Sequence, residues 1–167
     1  MLIALVLATS LACSVPATET STQVLLPYAS FDSLEGPYGW RHLNSSGCTD
    51  SAVSLLRAYG SSNQAKLTSE QIRELAFHVG QTLAFAGHDA ESIPEFERAN
   101  RPGGTAEWHA YVGATLAFLK HDQAALVAAR NAYASIAPGS MRLGAIDGFI
   151  KCPREPYAKA VHCAMAM

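Results

Sequence analysis

HVGQTLAFAGHD, at residues 78–89, recurs 33 residues later as YVGATLAFLKHD, at residues 111–122. Eight of the twelve aligned positions are identical, and they include a Val-Gly pair, a Thr-Leu-Ala-Phe run and a closing His-Asp pair. A repeat of this length on a helical hydrophobic pattern is typical of helical hairpins that stack on one another. The duplicated stretch therefore predicts an all-α fold of stacked antiparallel hairpins.

Signals for the ends of helices surround both copies. Thr68 and Gln71 have the spacing of a capping box, and Thr105 precedes the first helix of the second copy. Asp89 and Asp122 follow the first helix of each copy, so we expect each to cap the second helix of its hairpin. Two helices joined by so short a turn must pack antiparallel.

The remaining segments divide the chain. Residues 1–17 read as a signal segment and residues 18–47 as a linker and extended arm, because prolines, glycines and aromatic residues there show no helical period. Residues 48–167 are expected to form the helical domain, with a third, divergent helix pair at its end. A length of 167 residues fits one domain, and a net charge of −2 gives no basic face for nucleic acid.

The N-terminal segment indicates export. Residues 1–12 are almost wholly apolar, which is typical of a signal-peptide core and too short to span a bilayer. Val15-Pro16-Ala17 is compatible with cleavage, whereas Ser10-Leu11-Ala12-Cys13 resembles a lipobox and makes Cys13 a lipidation candidate. A buried N-terminal helix is the third alternative. The expected location is the periplasm or the envelope, with membrane attachment only through a lipid on Cys13.

Export would permit disulfides. If Cys13 is removed or lipidated, Cys48, Cys152 and Cys163 remain. A helix starting at Pro156 would carry Cys163 about 10 Å along its axis, which exceeds the roughly 7 Å limit between bonded Cα atoms. We therefore expect Cys48 to pair with one of the two C-terminal cysteines, and three reduced thiols are the alternative. No Cys-x-x-Cys motif occurs, so a thioredoxin-type site or zinc ribbon is not expected.

Residues 68–138 resemble tetratricopeptide repeats, with the third pair as a degenerate unit. In that family a glycine follows a large apolar residue in the first helix, as in Val79-Gly80 and Val112-Gly113. Phe96 matches the aromatic position of the second helix, but Ala129 departs from it. The family's small packing positions are matched by Ser92, Ala99, Ala125 and Ala132. Residues 146–163 also resemble the tails of small exported bacterial helical proteins.

The resemblance implies a short solenoid that binds a protein or peptide partner. Such a partner would lie in an inner groove on the first helices, which is mildly acidic and partly aromatic and suits a helix or an extended peptide. The residues implied for this groove are Glu74, Phe77, Gln81, Glu107, Ala110 and Ala114. Alternatively, two and a half repeats form no groove, and residues 24–47 fold back over this face.

The histidines support a second interpretation, that of a small envelope enzyme or metal-dependent factor. His78 and His109 lie on the two first helices, near Glu74 and Glu107. Zinc needs three or four converging ligands, however, and the His-Glu-x-x-His motif is absent.

The repeated pairs His88-Asp89 and His121-Asp122 are explained more simply as turn residues and helix caps. No nucleophile elbow, phosphate loop or dinucleotide fingerprint occurs. We therefore expect no catalytic residue, metal or cofactor. A non-enzymatic interaction module of the cell envelope is the leading hypothesis, and an inhibitor or immunity-type protein is a further alternative.

Overall fold

A computed structural model describes Cys13, Val15, residues 17–33 and residues 39–164. The apolar stretch 1–12 of the expected signal segment lies outside the described residues. Every regular element in the described part is an α-helix, so the predicted all-α class is confirmed. The chain divides into two compact units, Met1–Asn63 and Gln64–Met167.

The first unit is helical where a non-helical arm was expected. Its helices are α1 (Ala17–Gln23), α2 (Tyr28–Phe31), α3 (Trp40–Ser45) and α4 (Thr49–Asn63). The expectation of an extended arm is therefore wrong. The first three helices have seven, four and six residues, and a hydrophobic period of 3.6 cannot show over so few positions.

A small aromatic core holds the first unit together. Phe31 stacks on Tyr59 with ring centroids 3.7 Å apart, and Trp40 is buried. The Tyr59 hydroxyl donates to the carbonyl oxygen of Leu26 over 2.9 Å. Since α4 supplies Tyr59 and groups with this unit, the observed division follows Asn63 instead of residue 47.

The second unit contains both copies of the duplicated stretch. Its helices are α5 (Ser69–Phe85), α6 (Asp89–Ala99), α7 (Ala106–Leu119), α8 (Gln123–Ile136), α9 (Met141–Lys151) and α10 (Tyr157–Ala160). Helix α5 pairs with α6 and α7 pairs with α8, while α6 also packs on α7. Helix α9 packs on α7 and α8, and α10 packs on α5 and α9. The tetratricopeptide type of stacking stays a prediction.

The first helix of each hairpin begins as predicted. The Gln71 N–H donates to Thr68 Oγ1 (3.2 Å), and the Thr68 N–H donates to Gln71 Oε1 (2.9 Å), which completes the capping box. Thr105 caps α7 by accepting from the Trp108 N–H over 3.1 Å. These side chains satisfy N–H groups that have no partner within a helix.

The second helices begin differently. Asp122 caps α8 as predicted, because its Oδ1 accepts from the Ala125 N–H over 2.9 Å. The same prediction for Asp89 is wrong: Asp89 is the first residue of α6, and the cap position is held by His88 without a side-chain hydrogen bond.

A shift of one residue between the two turns explains this difference. The left-handed backbone conformation after α5 belongs to Gly87 (φ +82°), whereas after α7 it belongs to His121 (φ +56°). In the sequence alignment Gly87 faces Lys120 rather than His121. Helix α7 therefore ends one aligned position later than α5, and the following His-Asp pair takes a different place in each turn.

Candidate functional site

The six residues implied for the groove lie at helical spacing on one face of α5 and one face of α7. The structure separates them by exposure. Glu74 and Glu107 line an open cleft, and Gln81 is half-buried. Phe77, Ala110 and Ala114 are buried in the core of the second unit. Only the end of the face that carries the two glutamates is open, and the binding role of all six residues stays a prediction.

The cleft lies where the loop between α6 and α7 meets the start of α5 and the start of α9. Its volume is about 280 Å³. The loop turns sharply at Gly103, whose φ of +100° is a conformation that residues with a Cβ rarely adopt. The charged and aromatic side chains that line the cleft are Glu70, Arg73, Glu74, Glu107, Trp108 and Arg142. We call this site the acidic cleft.

Two hydrogen bonds fix the loop that forms one wall of the acidic cleft. Trp108 Nε1 donates to the carbonyl oxygen of Ala99 over 2.8 Å. His109 Nδ1 lies 2.8 Å from Asn100 Oδ1, which joins the end of α6 to α7. The Phe77 ring packs behind Trp108, with centroids 5.2 Å apart. The indole is therefore held at the cleft by both polar and aromatic contacts.

The carboxylate of Glu107 accepts a hydrogen bond from a buried tyrosine. The Tyr133 hydroxyl donates to Glu107 Oε1 over 2.8 Å and also lies 2.9 Å from Ser140 Oγ. Burial raises the pKa of Tyr133, and the neighbouring Glu107 raises it further, so the hydroxyl keeps its proton and remains a donor. Arg142 Nη1 approaches the same carboxylate oxygen at 3.6 Å.

Arg142 also connects the acidic cleft to the core. Its guanidinium carbon lies 5.2 Å from the centroid of the Tyr111 ring, within the range of a cation–π contact. Burial raises the pKa of Tyr111, and the positive charge of Arg142 opposes this effect. One arginine from α9 thus contacts both an acidic residue and an aromatic residue of α7.

The other end of the same face is occupied by the chain itself. Tyr157 of α10 is fully buried, and its ring lies 5.1 Å from Phe85, 6.3 Å from Phe118 and 5.4 Å from Phe149. Its hydroxyl is enclosed beside Gln81, and burial raises the pKa of Tyr157. The segment that fills this end is the C-terminal helix α10.

The histidines are dispersed. Among the described residues, no three His, Cys, Asp or Glu side chains come together in an arrangement that could hold a metal ion. His109 is engaged with Asn100, and His88 lies 3.6 Å from Glu91 on its own helix. His121 forms the turn before α8 through its left-handed backbone.

The predicted disulfide pairing is wrong. Cys13 is bonded to Cys48, and Cys152 is bonded to Cys163, with Cα separations of 5.1 and 6.3 Å. The prediction assumed a helix that continues from Pro156 past Cys163. Helix α10 instead has only four residues, Cys163 lies in the turn that follows it, and the Cα of Cys163 lies 6.3 Å from the Cα of Cys152 at the end of α9.

The bond to Cys48 bears on the predicted lipidation of Cys13. The same sulfur atom cannot carry both a disulfide and a lipid thioether, so the two are alternative states of this cysteine. Ser51 Oγ also donates to the carbonyl oxygen of Cys13. Cleavage after Ala17 would remove Cys13 and leave Cys48 as a thiol. Lipidation and cleavage both stay predictions.

Sequence reasoning missed the residues that α9 and α10 bring to the two helical copies. Arg142 and Tyr157 lie 29 and 44 residues beyond Gly113, in the degenerate pair, where no repeat pattern predicts their contacts. The only local sign in the sequence that Tyr157 is buried is its position after Pro156 and before small residues.

Comparison with known proteins gives no relative. No protein family, no curated protein and no solved structure matches the chain. Within residues 17–33 and 39–164, no helix has both the length and the apolar character needed to cross a bilayer.

Proposed function

We propose that this protein is a non-enzymatic interaction module that acts outside the cytoplasm and binds a peptide segment of a protein partner at the acidic cleft. The observation that carries the proposal is the convergence of carboxylates and a fixed indole in one open cleft. That cleft lies on the face of α5 and α7 that the repeat resemblance assigns to partners.

The chemistry of the acidic cleft favours a basic side chain of the partner. Glu70 and Glu74 are one helical turn apart on α5 and line the same cleft. Trp108 lines it as well, and an indole is the aromatic group that binds a cation best. Two arginines, Arg73 and Arg142, line the cleft beside three glutamates, and Arg142 is already engaged by Glu107 and the Tyr111 ring. A lysine or arginine of the partner could pair with the exposed carboxylate of Glu70 and lie against the indole.

The size of the cleft favours a peptide over a small metabolite. A volume of about 280 Å³ is just below the usual range for small-molecule pockets, and it suits one or two side chains of a longer segment. The rest of the segment would lie on the exposed surface around the cleft.

Two disulfides support action in an oxidising compartment. The Cys152–Cys163 pair is formed, and the Cys13–Cys48 pair adds to this support where Cys13 is retained without a lipid. Disulfides persist in secreted and periplasmic proteins and are rare in the cytosol. The apolar residues 1–12 supply a route of export in the same proposal.

The proposal is tested by charge removal at the acidic cleft. Glu70→Gln/Glu74→Gln and the wild type would be immobilised and used to capture partners from envelope extracts. We expect a partner to be retained by the wild type, to be lost with the double variant, and to elute as salt rises, since exposed charges are screened. Trp108→Phe should weaken capture, because the indole is the better cation–π partner.

Glu91→Gln is the matched control, because Glu91 is an exposed glutamate in the first turn of α6 and lies outside the cleft. Equal capture by the wild type and the Glu70/Glu74 double variant would overturn the proposal.

A further inference from the structure

Helix α10 depends on its surroundings for its position. It has four residues, and its cap residue Pro156 makes no side-chain hydrogen bond to it. Isolated helices shorter than about 12 residues are marginal in water. Residues 157–164 therefore stay in place through contacts with other helices and through the Cys152–Cys163 bond.

The contacts form a defined socket. Tyr157 and Ala160 are fully buried, and Val161 is nearly so. Gly148 allows the close approach of α10 to α9, since a methyl group there would overlap the carbonyl oxygen of Ala160. We call the group that surrounds the tyrosine ring and hydroxyl the Tyr157 socket. Its members are Gln81, Phe85, Phe96, Phe118 and Phe149.

The two disulfides differ in accessibility. Cys152 and Cys163 are both partly exposed, whereas in the N-terminal bond Cys13 is partly exposed and Cys48 is only 5% exposed. A reductant in solution can therefore approach the C-terminal bond from either cysteine, and the N-terminal bond only from the side of Cys13. Lys151 and Arg154 flank Cys152 in sequence, and nearby positive charge stabilises a departing thiolate.

The loop after Cys152 also has room to move. A cavity of about 360 Å³ lies between Pro153 and Arg154 on one side and the turn at His121 on the other. This loop could move into the cavity without disrupting the packing of core side chains beside it.

We propose that the Cys152–Cys163 disulfide is a redox latch that keeps residues 156–164 in the Tyr157 socket, and that its reduction frees the socket for a peptide presenting an aromatic ring followed by small residues. A thiolate of a dithiol reductant attacks one sulfur, forms a mixed disulfide and releases the other cysteine as a thiolate. The second thiol of the reductant then resolves the mixed disulfide. Cys152 and Cys163 end as two thiols, and the reductant ends as a disulfide.

The peptide chemistry follows from the occupant that the socket already holds. Tyr157, Ala160 and Val161 place one ring and two small or branched side chains on the covered face. A competing segment needs the same arrangement, with a small residue where the chain approaches Gly148. The Tyr157 socket lies apart from the acidic cleft. The peptide titration and the capture experiment can therefore fail independently of each other.

The first test measures opening of the latch. Hydrogen exchange of the full chain would be compared before and after reduction by dithiothreitol, and in Cys152→Ser/Cys163→Ser. Loss of a cross-link with a sequence separation of 11 should increase opening roughly 100-fold. We expect amides 157–164 to exchange faster by about that factor, while amides of α5 and α7 keep their protection.

Cys13→Ser/Cys48→Ser is the matched control, since it removes a disulfide without touching α10, and exchange of amides 157–164 should not change in it. If these amides keep their protection after reduction, the latch does not exist. If α5 and α7 lose protection together with α10, the bond is a structural staple and the inference is equally overturned.

The second test measures the socket. A fluorescent peptide of residues 153–164, with serine at both cysteine positions, would be titrated into each protein and followed by anisotropy. We expect binding to the reduced protein and to Cys152→Ser/Cys163→Ser, but not to the oxidised wild type. The same peptide with Tyr157→Ala should not bind. Equal binding to oxidised and reduced protein, or none to either, would refute the socket as a peptide site.

Discussion

Gly80 and Gly113 occupy the same position in the two copies of the duplicated stretch, but their surroundings differ. A methyl group at Gly80 would lie 3.1 Å from the Phe96 ring, whereas nothing lies within 4 Å of the same point at Gly113. Phe96 is fully buried, and its counterpart in the second copy is Ala129. A neighbouring ring therefore requires the glycine in the first copy only.

Alanine at these two positions should change stability in opposite directions. Gly80→Ala must displace a buried ring, and we expect a loss of about 1–3 kcal/mol in the free energy of unfolding. Gly113→Ala meets no neighbour and restricts the unfolded chain, so a gain of about 0.4–1 kcal/mol is expected. Urea denaturation followed by circular dichroism would measure both.

Each glycine variant serves as the control for the other, because both make the same substitution in the middle of a helix. A loss of similar size in both variants would mean that Phe96 does not explain the difference between the copies.

The turn between the two helices of a hairpin also differs between the copies. The aligned His-Asp pairs are identical in sequence, but their backbone conformations differ. His121 adopts a left-handed conformation that costs little for glycine and more for other residues, and Asp122 then caps α8. In the first copy Gly87 takes that conformation, and the cap position falls to His88. Only the second turn provides a side-chain cap for the helix that follows it.

Removal of the two cap residues should reveal this difference. Asp122→Ala removes an acceptor for the Ala125 N–H, and we expect a loss of about 1 kcal/mol in the free energy of unfolding. His88→Ala removes no side-chain hydrogen bond to its helix and should cost less than about 0.5 kcal/mol. Thermal unfolding of both variants would give the comparison. Equal losses would show that Asp122 does not act through its cap.

The helices that sequence predicted well are those with both a hydrophobic period and end signals. Helices α5 and α7 have threonine caps and apolar stripes over 17 and 14 residues, which is long enough for a period to show. Helices α1 to α3 lack that length, and only α2 and α3 bury an aromatic residue, Phe31 and Trp40 respectively. The identical His-Asp pairs gave no sign of the one-residue shift between the turns, and the only difference that bears on it is Gly87 against Lys120.

Disulfide pairing depends on how the whole chain folds. The predicted pairing was wrong because it assumed a helix from Pro156 past Cys163, whereas α10 ends at Ala160. The structure pairs Cys13 with Cys48 and Cys152 with Cys163. Each bond closes within one compact unit, at sequence separations of 35 and 11. A bond from Cys48 to either C-terminal cysteine would instead have joined the two units.

Peptide mapping of the unreduced protein tests this pairing. Tryptic cleavage after Arg41 and Arg57 places Cys48 in residues 42–57, while Cys13 precedes Arg41. We expect residues 42–57 to be linked to the N-terminal peptide, and residues 152–154 to be linked to the peptide that follows Lys159. A linked pair containing both Cys48 and Cys152 would contradict the structure. The mass of the N-terminal peptide would also show whether Cys13 is retained or carries a lipid.

The candidate site was predictable only in the part that the two copies supply. Glu74 and Glu107 were identified because the resemblance placed them on the first helices, and both line the acidic cleft. Arg142 and Tyr157 come from the degenerate third pair, and their positions depend on how α9 and α10 pack against α7 and α5. Such contacts between distant parts of a chain leave no periodic signal in one sequence.

The Tyr157 socket has a consequence for how such a protein could change by gene duplication. Phe85 and Phe96 come from the first hairpin and Phe118 from the second, and one ring contacts all three. An additional hairpin inserted between them would separate Phe96 from Phe118 by the width of at least one more helix, about 8–10 Å. Open solenoids lengthen by tandem copies without such a penalty. A tyrosine that contacts both hairpins therefore makes the insertion of a copy between them costly.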